Sequence, residues 1–166
     1  MIDPDQFREL LLEPTLKKMV RWGFAGADEP AAINLMLGTC WAESQGGTYL
    51  HQVGGPAMGI YQVEIPTHTD VWRNYLRYSS RAAHVVNILP LDARPDEAYG
   101  MNADWHNQLI TNLEYAVVIA RLLYYRQSFE WPDQDDLEAL GAIWKEFYNT
   151  HKGAGSVEHF VHSYPE

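Results

Sequence analysis

Cysteine is nearly absent: Cys40 is the one cysteine in 166 residues. An internal disulfide framework and a multi-cysteine zinc site are therefore excluded. Basic residues are scarce too, 12 Lys and Arg against 22 Asp and Glu, for a formal net charge of −10. Nucleic-acid binding rests on neutralising phosphates, and attraction to anionic membranes rests on basic patches. Neither fits this balance, so no nucleic-acid partner is expected. No stretch approaches the ~20 apolar residues of a membrane span, so no membrane insertion is expected. Repeats and low-complexity segments are lacking. Met1 to Leu10 holds no basic region followed by an apolar run and does not read as a secretory signal. The expectation is a chain made and kept in a cytoplasm unless another agent exports it.

What is present suits a globule. The 46% hydrophobic content rules out a disordered chain. The length fits one domain over 1–166, with a radius of gyration of about 15 Å and roughly 70% of its unfolded surface buried. Six tryptophans and ten tyrosines serve either a large core or a flat surface for carbohydrate or a partner.

Helix signals dominate the chain. Asp3-Pro4-Asp5-Gln6 reads as a helix start, with Asp at the N-cap, Pro at N1 and Gln at N3. That helix runs to about Glu13, is kinked or restarted by Pro14, and continues to about Trp22. Asp28-Glu29-Pro30 opens a second helix to about Ser44, with Ile33, Met36, Leu37, Cys40 and Trp41 as its apolar face. Residues 45–57 form a glycine-bearing loop, and Gly59 to Val63 a short strand or extended segment. Helices are expected over Thr67–Tyr78, Arg81–Ile88, Leu109–Gln127 and Asp135–Asn149, with the longest loop over 89–103. Gly153-Ala154-Gly155-Ser156 breaks the chain, and Ser156 caps a short final helix. The fold class is mainly α, with at most a small β element.

Glu43 stands out as a chemical group. It sits in the last turn of its helix, at the edge of the apolar stripe. Partial burial and the negative end of the helix dipole both disfavour its carboxylate. A carboxyl still protonated near neutral pH can give a proton to a leaving group. Taken alone, Glu43 reads equally as an exposed helix-end residue ahead of a glycine loop.

Its context adds more. Glu43-Ser44 is followed by Gly54-Gly55-Pro56-Ala57-Met58-Gly59-Ile60-Tyr61-Gln62-Val63, then Asn112-Leu113-Glu114-Tyr115-Ala116, then Tyr148-Asn149-Thr150. In this order, over roughly residues 30–160, the set resembles the lytic transglycosylase and goose-type lysozyme family. The resemblance implies a lysozyme-like α+β fold with its small β element beside a cleft. It implies cleavage of the peptidoglycan glycan strand, with Glu43 as the catalytic acid and, in the transglycosylase branch, also the base that closes a 1,6-anhydro product. No cofactor is implied. Tyr148 would hydrogen-bond Glu43 and hold its carboxyl in place. Ser44, Gly59, Tyr61, Gln62, Asn112 and Asn149 would lie along the substrate. Gly54, Gly55 and Gly59 would let backbone approach sugar, or form an ordinary flexible loop. Gln62 has a donor and an acceptor for hydroxyl and N-acetyl groups. Tyr61 would supply a stacking or packing face. Asn112 would order the cleft floor or merely tie loops together.

The spacing Gln62-Val63-Glu64-Ile65-Pro66 departs from the family pattern. Glu64 and Asp70 are candidates for the second carboxylate of a hydrolytic lysozyme. A protein this acidic would also be repelled by a negatively charged wall at long range. His159 and His162, with His151 and Glu158 nearby, have a zinc-like spacing but no third ligand fixed by sequence, so no metal is expected. His68, His84 and His106 read as isolated surface or loop residues. A cytoplasmic chain that acts on a cell wall needs a carrier. A bacteriophage provides one, by releasing the enzyme to the wall or by packing it in the virion beside other virion proteins. The rival reading is a virion or tail structural protein that keeps the fold with little activity.

Overall fold

Asp3 caps the first helix as its pattern predicts: its carboxylate accepts from the Gln6 backbone N–H at 2.9 Å. Helix α1 (Pro4–Phe7) passes through a wide π-turn (Arg8–Leu12) into α2 (Glu13–Arg21). Pro14 explains the wide turn. Proline lacks an N–H and its ring collides with the carbonyl four residues back. The Glu13 N–H instead bonds Arg8, five residues back. The chain in this structure, a computed structural model, is described over residues 1–95, 103–149 and 153–165. Residues 96–102 of the long loop expected over 89–103, and His151, lie outside the described residues.

Two helices form the centre. Helix α3 (Pro30–Ser44) is buried at every position from Ala31 to Trp41. Its expected apolar stripe is thus a fully enclosed helix. Helix α7 (Leu113–Tyr125) is buried from Tyr115 to Tyr124. Around them lie α4 (Ile65–Asn74), α5 (Ala82–Asn87), α6 (Ala103–Thr111), α8 (Leu137–Trp144) and α9 (Val157–Ser163). One buried apolar cluster runs from Phe7 to Phe160. Ser156 caps α9 through the His159 N–H, as expected. No helix among the described residues is long and apolar enough to cross a membrane.

Some expected elements change. The helix expected over Leu109–Gln127 is two helices. Asn112 has extended backbone and caps α7, its Oδ1 accepting from the Tyr115 N–H at 3.0 Å. An amide that satisfies an orphan helix-end donor ends one helix and starts the next. The helix expected over Thr67–Tyr78 begins at Ile65 and finishes in a separate 3-10 turn, Leu76–Tyr78. The small β element reduces to two isolated bridges, His51 with Met58 and Met58 with Val63, and no strand forms among the described residues. Gly59 holds this hairpin against α6. At its φ of +77°, a Cβ would stand 1.9 Å from the Leu109 carbonyl oxygen, so only glycine fits.

His68 and His106 are not surface residues. They are 0% and 6% exposed and join α4 to α6 and α7. The Trp72 and Trp105 indole N–H groups both donate to the Tyr115 hydroxyl, at 2.7 and 3.0 Å. That oxygen sends its own proton to His68 Nε2, 2.5 Å away. His68 must then carry its proton on Nδ1, which donates to His106 Nδ1 at 2.8 Å. Both rings are neutral. Burial pushes the His68 pKa down to about 3 and lowers that of His106. His84 does lie at the surface, stacked on Trp22 at 5.8 Å.

Candidate functional site

Helix α3 delivers Glu43 to the wall of a cavity of about 540 Å³. The opposite walls come from Gln62, Glu64 and Thr67, and from Trp144, Tyr148 and Asn149. The latter group stands where α8 passes into a π-turn, Lys145–Asn149. Gly155, in the loop before α9, packs flat on Trp144; a Cβ there would lie 2.3 Å from the indole.

The Glu43 carboxyl is half-buried. The Trp144 indole N–H donates to Glu43 Oε1 at 2.9 Å. Burial pushes the Glu43 pKa up to about 7, with the Trp144 hydrogen bond and the Asn149 amide pulling weakly the other way. Among the described residues, no Lys or Arg forms an ion pair with it. The carboxyl therefore divides between acid and carboxylate near neutral pH, the condition for giving and then taking a proton.

Four other residues that the resemblance or a second-carboxylate role assigned to this site line the cavity: Tyr148, Asn149, Gln62 and Glu64. The Tyr148 hydroxyl, however, does not hold Glu43. It donates to the Tyr61 carbonyl oxygen at 2.7 Å, while its ring stacks on Tyr124 at 5.4 Å. Trp144 makes the bond expected of Tyr148. The π-turn is the reason: it winds residues 145–149 differently from a continuous α-helix, turning Tyr148 toward the Tyr61 segment. Gln62 spends its amide N–H donors on the Gly59 and Tyr49 carbonyls, at 2.8 and 3.2 Å. It offers a ligand its carbonyl oxygen.

The remaining named residues stand behind or away from the cavity. Tyr61 is 0% exposed and cannot stack on a ligand. Ser44 is buried; its hydroxyl lies 2.7 Å from the Ile60 carbonyl and accepts from the Gly47 N–H at 2.9 Å. Asn112 ties loops together, donating to the Ile88 carbonyl at 2.9 Å. Gly59 packs on α6, not on a ligand. Asp70 pairs with Arg126 at 2.6 Å, away from the cavity. The Asn74 amide and then Arg126 hold its carboxyl below the usual range. It is no second carboxylate for this site.

Trp144 was legible only as a core residue. Its signal was chemical: a buried indole N–H needs an acceptor. His159 was also overlooked as a wall residue. It lines the cavity, and its Nε2–H donates to the Ala42 carbonyl at 3.0 Å. His162 Nδ1 lies 2.6 Å from the Glu158 carbonyl. No group of three metal-ligating side chains gathers among the described residues.

Tyr148→Phe tests the corrected bond. It strands the buried Tyr61 carbonyl and should cost about 1–3 kcal/mol of stability. The Glu43 titration should barely move, because Trp144 still holds the carboxyl. Urea unfolding and the Glu43 titration on one preparation check both.

The chain matches no protein-family model, no curated protein and no solved structure.

Proposed function

We propose that this protein cleaves the β-1,4 bond between N-acetylmuramic acid and N-acetylglucosamine in peptidoglycan, as a lytic transglycosylase of lysozyme-like fold. One observation carries the reading: a half-buried, unpaired glutamate with a pKa near 7, held by an indole N–H in the wall of an open cavity.

Glu43, protonated, gives its proton to the bridging oxygen as the bond from C1 breaks. The positive charge that develops at C1 faces the new carboxylate. The same carboxylate then takes the proton of the muramic acid C6 hydroxyl, whose oxygen closes on C1. Glu43 ends protonated, ready for another turn. One carboxyl suffices, and no cofactor enters. The Gln62 carbonyl and the Asn149 amide stand on the walls to meet hydroxyl and N-acetyl groups.

Hydrolysis is the second reading, and Glu64 favours it, since its carboxylate lies exposed on the same cavity. Digestion of purified peptidoglycan with mass analysis of the fragments separates the two. The expected fragments end in 1,6-anhydromuramic acid, and Glu64→Gln keeps most activity. New reducing ends, with a loss of about a thousandfold in Glu64→Gln, assign water activation to Glu64. Intact glycan strands after prolonged digestion overturn both readings.

A further inference from the structure

Lys145 lies outside the cavity wall, yet it is tied to it. Its ammonium donates to Asn149 Oδ1 at 2.8 Å and to the Gly153 carbonyl at 2.8 Å. An ammonium group can only donate. The oxygen end of the Asn149 amide must therefore face Lys145, and the NH2 end must face away. A Cβ on Gly155, a cavity residue, would lie 3.2 Å from that nitrogen. The NH2 end is thus on the cavity side, where Asn149 favours the charged form of Glu43.

An amide without an anchor has two ends of almost equal shape and can present either. Turned over, Asn149 would aim a carbonyl oxygen at the carboxyl and oppose the carboxylate. Turned as it is, it favours the anion that exists once the proton has been given.

We propose that Lys145 is a positioning residue for Glu43: it locks the Asn149 amide with its N–H groups toward the carboxyl and pins the Gly153 loop beside it. The proposal rests on the reading of Glu43 as the reacting group, but it can be tested without turnover. Several groups stand around Glu43: Tyr124 on α7, Tyr148 and Trp144 on α8 and its π-turn, Glu64 on the hairpin side, and His159 on α9, with Cys40 and Tyr61 beyond them near Tyr148. Glu64 and His159 are kept in every variant, so differences report the amide.

The experiment follows the Glu43 carboxyl titration by carbon NMR in the full chain, with folding checked by amide dispersion. Lys145→Met and Asn149→Ala should each raise the Glu43 midpoint by about 0.5–1 unit, the worth of one ordinary net hydrogen bond. Lys145→Arg, which keeps the donor, should restore most of the shift. The double variant should titrate like Asn149→Ala alone, because Lys145 acts through the amide. An unchanged midpoint in Lys145→Met overturns the proposal. So does an equal further shift from Lys145→Met in the Asn149→Ala background, which would mean bare charge acting through space. If Lys145→Met does not fold, Lys145→Gln, whose amide can still donate one N–H, takes its place with a smaller shift expected. Glycan digestion by the same samples keeps the two ideas apart. Absent cleavage by the wild type, with the titration pattern intact, removes the enzyme reading and leaves the Lys145–Asn149–Glu43 linkage standing.

Discussion

Glu43→Gln is expected to lower glycan cleavage by roughly 10²–10⁴-fold, the usual contribution of a general acid, while making the fold more stable above pH 7. Glutamine keeps the size and can still accept from Trp144, but it has no proton to transfer. The stability gain follows from burial. The Glu43 pKa stands near 7 in the fold against an ordinary 4.5. The folded state therefore binds this proton more tightly than the unfolded chain. As pH rises from 4.5 to 7, the unfolded chain ionises first and stability falls. Above 7 both states are ionised, and the buried charge costs the fold about 3 kcal/mol. Glutamine removes that cost. For a chain of this size it should raise the thermal midpoint by about 5–10 °C at pH 8 and by little at pH 4.5. Thermal scans at both pH values, beside a clearing assay, check the pair of effects. A folded Glu43→Gln protein with full clearing activity would end the enzymatic reading. Equal stability changes at both pH values would mean that the wild-type carboxyl is not strained by burial.

The second large effect is acid unfolding. His68 is neutral in the fold, with a pKa near 3 against an ordinary 6.5. The unfolded chain takes up this proton below about pH 6.5 and the folded chain does not. The stability it contributes is whole above 6.5 and is lost as pH falls toward 3, by about 1.4 kcal/mol per unit. Summed over that window the loss is roughly 5 kcal/mol, comparable to the whole stability of many domains. His106 acts in the same direction. Glu43 works against both between pH 7 and 4.5, because its folded form holds its proton better. The wild type should therefore change slowly from pH 7 to 4.5 and steeply below. Glu43→Gln, without that compensation, should weaken steadily from 6.5 downward. Asp70, bonded to Asn74 and Arg126, adds a loss only below its ordinary 3.8. Urea midpoints of both proteins from pH 8 to 3 read this out. Parallel curves for the two would overturn the assignment. So would a wild type that is flat down to pH 3.

Local chemistry made much of this protein legible in one dimension. Asp3 and Ser156 cap helices where their spacing to Gln6 and His159 predicts, since a cap needs only a side-chain oxygen and an N–H three residues on. Pro14 marks a disturbed turn because the missing N–H and the ring collision lie within four residues. The placement of Glu43 in the last turn of α3 follows from Pro30 at one end and the glycine loop at the other. The cavity-lining set was partly legible for the same reason, with Glu43, Tyr148 and Asn149 at the ends of helical elements and Gln62 in the glycine-bearing hairpin.

Tertiary structure decided the partners. Trp144 meets Glu43 across 101 positions, and Tyr148 meets Tyr61 across 87. Helical periodicity tells which residues share a face, but not which group on that face reaches a particular oxygen on another element. The π-turn at Lys145–Asn149 sharpens the point: one change of winding redirects every side chain after it, and no residue in that stretch announces it. His68 and His106 fall three residues before Val71 and Leu109, in register with apolar faces, but periodicity could not show that their rings are enclosed by two indoles and a phenol brought from α4, α6 and α7. Capping and helix breaking are interactions over three or four residues, and the sequence determines them by itself. The proton-bearing contacts join residues far apart in the chain, and only packing decides them.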